Sequence, residues 1–139
     1  MGRSAVRITA DTNLLVRAAV VDDRLQASIA ADVLRDAEIV AVPLPALCEF
    51  VWVLLRGYGR NVGEIAAAIR HLAASANVSL DQPAVDAGLA LLEAGGDFAD
   101  GVIAFDGRRL GGSVFTSFDR RAVELIAATG AETQLLPTM

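Results

Sequence analysis

The chain has 139 residues, enough for one compact domain with a sizeable core and too few for two independent ones. Apolar residues make up 54% of it, but charges and glycines interrupt them before any run reaches the roughly 20 residues of a membrane span. All twelve basic residues are arginine, which excludes mechanisms built on a lysine amine; the lone Cys48 and lone His71 exclude disulfides, thiolate zinc clusters and paired-histidine catalysis.

In chain order, Val6–Ala10 reads as a short buried strand and Asn13–Val20 as a helix whose first turn Asp11 or Thr12 can cap. An amphipathic helix fits Arg24–Ala37, and the β-branched run Ile39–Val42 is a strand closed by Pro43 and Pro45. Leu47–Arg56 is strongly apolar and stops at Gly57–Gly59, after which Val62–Ala74 forms the second arm of a helical hairpin. His71, after Arg70 on that arm, reads as a surface residue, and Cys48 as a small buried hydrophobe. Val78–Leu80 is a short strand, and Pro83 opens a helix that runs to Glu93 and ends at Gly95–Gly96. Asp97 starts a helix reaching Leu110; Val114–Thr116 is a strand, Arg120–Thr129 a helix and Thr133–Leu136 a last strand. Strands alternating with helices imply an α/β fold with a parallel sheet covered on both faces, in one domain over residues 1–139, without repeat or linker. The first ten residues carry no secretion signal, so a cytoplasmic protein is expected.

Sites of open parallel sheets lie beyond the carboxyl ends of the strands. Asp11 and Asp119 both follow strands there, although aspartate at a strand-to-helix junction is also a favoured N-cap. Glu49 interrupts an apolar stretch in which its helical neighbours, Pro45, Ala46, Trp52 and Val53, offer nothing to pair with a carboxylate. It therefore needs a cation or donor elsewhere in the fold, or a place facing solvent in a cleft. Asp97 and Asp100, three apart at a helix start, lie near one helical face; capping explains Asp97 well and Asp100 less well, while Asp106 points away as solvated surface. Several carboxylates gathered at one sheet edge repel one another, and a divalent cation held by oxygen ligands, magnesium or manganese, keeps them ionised together. The net charge of −5 is compatible with a nucleic-acid partner, because four of those charges would face the cation and twelve arginines are available for phosphates.

The ordered fragments Asp11-Thr12-Asn13, Glu49 within Ala46–Val53, Asp97-Phe98-Ala99-Asp100-Gly101-Val102-Ile103-Ala104 and Ser117-Phe118-Asp119-Arg120 together resemble the PIN-domain family, and within it the VapC-like toxins. The likeness covers nearly the whole chain and implies a three-layer α/β/α sandwich with a parallel sheet of about five strands. It further implies that Asp11, Glu49, Asp100 and Asp119 bind magnesium or manganese, that Asp97 is either an extra ligand or only the cap, and that Asn13 and Ser117 support the acids by hydrogen bonds. Gly101 departs from the commoner alanine and is expected to loosen the helix start without removing a ligand. The implied activity is metal-dependent hydrolysis of RNA phosphodiesters with no side-chain nucleophile. Implied partners are an RNA substrate, a VapB-like antitoxin and a second copy of the chain, with Phe50, Trp52, Leu54 and Leu55 offering more apolar surface than one buried face needs. A housekeeping PIN nuclease without antitoxin, and a non-catalytic module retaining the fold, are the alternatives.

Overall fold

The computed structural model describes residues 6–138, which group into two compact units divided between Asp81 and Gln82. In the first, strand β1 (Arg7–Thr9) leads into helix α1 (Thr12–Ala19), then α2 (Arg24–Asp36), β2 (Ile39–Ala41), α3 (Leu44–Trp52), a π-helical turn (Val53–Gly57), α4 (Val62–Ala74) and β3 (Val78–Ser79). The strands form one parallel ladder in the order β1-β2-β3, with Ile8 opposite Val40 and Val40 opposite Val78. Hydrogen bonds extend it beyond the strand ends, from Ala10 N–H to the Ala41 carbonyl and from Val42 N–H to that of Ser79, at 2.9 Å each. Val40, Leu47, Ile65 and Ile69 are wholly buried, on a strand and two helices whose apolar residues recur at the periods that face a core.

The apolar helix begins three residues earlier than its sequence suggests. Pro43 and Pro45 read as strand terminators, whereas Pro43 is the N-cap of α3 and Pro45 lies in its first turn, where a missing N–H costs nothing. At the other end the helix widens into the π-helical turn, and Tyr58 N–H reaches back five residues to the Val53 carbonyl at 3.2 Å. Asn61 then opens α4 with a reciprocal capping box to Glu64, so the hairpin's second arm starts where the sequence places it.

In the second unit, α5 (Gln82–Glu93) and α6 (Phe98–Arg109) are followed by β4 (Val114–Ser117), α7 (Arg120–Ala127) and β5 (Glu132–Leu135). β4 and β5 pair in parallel from Val114 opposite Glu132 to Ser117 opposite Leu135. The architecture is thus α/β with five strands among the described residues, every pairing parallel, in ladders of three and two.

Close packing between α5 and α6 explains Gly101. A Cβ there would overlap the carbonyl oxygen of Ala87 and come within 2.9 Å of the Gly88 Cα, and a Cβ on Gly88 would lie 2.6 Å from the Phe98 ring. Gly101 is buried at a close helix crossing, so the expectation that it loosens the helix start is corrected: its missing methyl lets the helix pack.

Candidate active site

The acids singled out in the sequence occupy two kinds of position. Asp11 lies two residues beyond β1 and caps α1, its Oδ1 accepting from Leu14 N–H at 2.9 Å. Asp119 lies two residues beyond β4 and caps α7 in the same way, accepting from Ala122 N–H at 3.2 Å. Asp97 caps α6 through Ala99 N–H at 3.0 Å. The capping alternative is therefore real for all three, and it uses one oxygen of each carboxylate. Asp100 and Glu49 cap nothing. Asp100 stands in the first turn of α6, half-buried, while Glu49 is exposed on α3 beside the buried Phe50 and one turn from the buried Ala46.

None of the five forms an ion pair among the described residues, although other carboxylates of the chain do, such as Asp22 with Arg17 at 3.4 Å and Glu38 with Arg7 at 3.1 Å. The consequence is sharpest at Asp100. Burial, and after it the negative charges of Asp97 and Asp119, push its carboxyl above the ordinary aspartate range. The three acids of the second unit are therefore electrostatic neighbours, and none of them is in an ion pair among the described residues. They are not a formed chelate: among the described residues no three His, Cys, Asp or Glu side chains form a group that could hold a metal ion. Asp11 and Glu49 lie in the first unit, where α1 packs against α3 and the Thr12 hydroxyl lies 3.5 Å from the Ala46 carbonyl.

Ser117 Oγ accepts from the backbone N–H of Asp119 at 3.0 Å, so it fixes the turn that carries the acid. Asn13 is exposed at the second position of α1 and makes no hydrogen bond to Asp11 among the described residues. Asp106 is half-buried and lies 3.9 Å from Arg109. Cys48 is half-buried and His71 exposed; Phe50 and Leu54 are buried, and Trp52 stays 64% exposed. Phe118, to which sequence reasoning gave no role, is 62% exposed immediately before Asp119. Its signal was an aromatic residue in a turn otherwise made of polar ones.

The model of the PIN domain matches residues 8–128 and thus runs through both units and all five acids. The chain belongs to the PIN-domain family. This fold is generally that of a metal-dependent nuclease, a hydrolase that typically uses divalent ions and binds RNA. No curated protein matches the chain. Among the described residues no helix is long and apolar enough to cross a membrane.

Proposed function

We propose that this PIN-domain protein is a magnesium- or manganese-dependent endoribonuclease, the cytoplasmic toxin half of a VapBC-type toxin–antitoxin module. Asp11, Glu49, Asp100 and Asp119 are the ligands of its metal site, and Asp97 is a further ligand or only a cap. The observation that carries the reading is the set of carboxylates left without a counter-ion, above all Asp100, half-buried and repelled by Asp97 and Asp119. Arginine is plentiful in this chain, yet none pairs with these acids among the described residues, which leaves their charge for an external cation. The donors are all oxygen, the chemistry that suits magnesium or manganese. A bound ion would supply charge neutralisation and a more acidic water for attack on the phosphodiester. The chain's own part is to hold Asp11, Asp97 and Asp119 at helix N-caps, where a backbone N–H fixes one oxygen of each carboxylate.

The antitoxin and the second copy rest on apolar surface. A cavity of about 520 Å³ in the first unit is lined by Leu15 and Ala18 of α1, Leu34 of α2, Phe50 of α3 and Leu72 of α4. On α2, Leu25, Ile29 and Val33 recur every four residues and remain exposed, so this helix presents an apolar stripe to solvent. A partner segment with an apolar helical face suits both features.

Purified protein incubated with structured RNAs and magnesium is expected to cut them, and Asp11→Asn to stop the cutting. Equal cleavage by both proteins defeats the assignment. Expression is expected to arrest growth, with relief from the small gene beside it; cleavage without arrest or relief makes the protein a housekeeping PIN nuclease.

A further inference from the structure

We infer that the cavity beside Asp119, walled by Phe118, Arg120 and the segment 135–138, is a subsite for one nucleotide of single-stranded RNA, its base stacked on Phe118 and its phosphate held by Arg120. This inference rests on the nuclease reading and names how the substrate is gripped. The cavity measures about 420 Å³ and is lined by Phe118, Arg120, Leu135, Leu136, Pro137 and Thr138. That volume lies in the range of about 300–1,000 Å³ typical of small-ligand sites.

Three features point to a nucleotide. The first is the exposed ring. A phenylalanine 62% open to solvent, next to three apolar residues that do not cover it, leaves a flat π surface for a flat partner. The second is the fixed backbone under that ring. Leu136 N–H donates to the Ser117 carbonyl at 2.8 Å and Asp119 N–H donates to Ser117 Oγ at 3.0 Å, so the turn carrying Phe118 is tied on both sides. A base stacking there loses little entropy in ordering its platform.

The third is the free cation. Arg121 donates to the Gly95 carbonyl at 3.4 Å and Arg109 stacks on Phe105 at 4.4 Å, whereas Arg120 has neither hydrogen bond nor ion pair among the described residues. An aromatic face and an unengaged guanidinium two residues apart on one cavity match the alternation of base and phosphate along a single strand. A duplex hides its base faces, so the subsite selects unpaired nucleotides. The location adds a role. Phe118 and Arg120 flank Asp119, so a nucleotide in the cavity neighbours the phosphodiester offered to the acids.

The test uses the whole chain and a short single-stranded RNA carrying 2-aminopurine, whose fluorescence falls when the base stacks. In EDTA and low salt, wild-type protein is expected to quench the probe, Phe118→Trp to retain the quench, and Phe118→Leu to lose it and bind about tenfold more weakly. Arg120→Gln is expected to keep the quench but flatten the dependence of log K on log salt by about 0.7. With magnesium, Phe118→Leu is expected to raise KM about tenfold at unchanged kcat on single-stranded RNA. An unchanged quench and KM in Phe118→Leu overturns the subsite while leaving a cleaving wild type as a nuclease. A Phe118-dependent quench in a protein that never cleaves keeps the subsite and sinks the nuclease. Wild type that neither binds nor cuts RNA overturns both, and a Phe118→Leu protein that changes only its oligomeric state makes the cavity a protein contact.

Discussion

A carboxylate that caps a helix and a carboxylate that holds a cation are asked for different things, and Asp119 is placed to do both. Its Oδ1 accepts from Ala122 N–H, a bond that asparagine can replace and alanine cannot. Asp119→Ala is therefore expected to lower stability by about 1 kcal/mol in urea melts, whereas Asp119→Asn stays near wild type. Both are expected to lose RNA cleavage. An active Asp119→Asn would reduce the residue to its cap.

Asp100 separates the two roles differently, because it caps nothing and its charge is unwelcome in the metal-free fold. Its native carboxyl is raised above the ordinary aspartate value of 3.8, so the stabilising contribution of its proton is complete below that value and lost as pH rises through the raised one. At neutral pH the ionised side chain is a liability of the folded state. Asp100→Asn is thus expected to melt higher than wild type at pH 7 in EDTA, with the gap closing as pH falls toward the ordinary aspartate range, and to be inactive with metal. A lower Tm for the variant at pH 7 contradicts the repulsion. Sequence revealed Asp11 and Asp119 because a strand, an acid and a helix follow one another locally. It could not reveal the strain on Asp100, which comes first from burial in the packed fold and then from Asp97 and from Asp119, nineteen positions further along.

At the scale of elements, the crossing of α5 and α6 decides what α6 can carry. Alanine is the better helix former by about 1 kcal/mol, so propensity alone favours Gly101→Ala. Packing opposes it: the added methyl meets the backbone of Ala87 and Gly88, which cannot rotate aside as a side chain can. Overpacking costs typically about 1–3 kcal/mol, so the net expectation is a lower denaturation midpoint. Gly107, on the same helix, has nothing within 4 Å of its would-be Cβ, and Gly107→Ala is expected to raise the midpoint. If both substitutions stabilise, the close crossing is absent in solution. The helix beginning at Asp97 was legible from its cap and its glycine boundary, but the reason for Gly101 was not, since it lies in Gly88 and Ala87 of another helix. The start of α3 was missed for a related reason. Two prolines stop a strand and can also begin a helix, and only the residues that follow decide which.

For the whole molecule, the alternation of strands and helices made the α/β class readable, because parallel pairing needs crossovers of this kind. Which acids share an ion was not readable, because neither capping nor spacing along the chain measures a distance between Asp11 and Asp119. Thermal stability measures their coupling instead. An ion that binds only the folded protein, at about a hundred times its Kd, stabilises by about 2.7 kcal/mol, or about 8 °C for a chain of this size. Manganese is expected to raise the wild-type Tm by that order, and Asp11→Asn and Asp119→Asn each to remove most of the rise. If both acids hold one ion, the double variant loses no more than either single one, because the first substitution has already removed what the second would take. Losses that add mean two independent ions, and a wild-type Tm indifferent to manganese and magnesium leaves the carboxylates as caps of a PIN fold without metal chemistry.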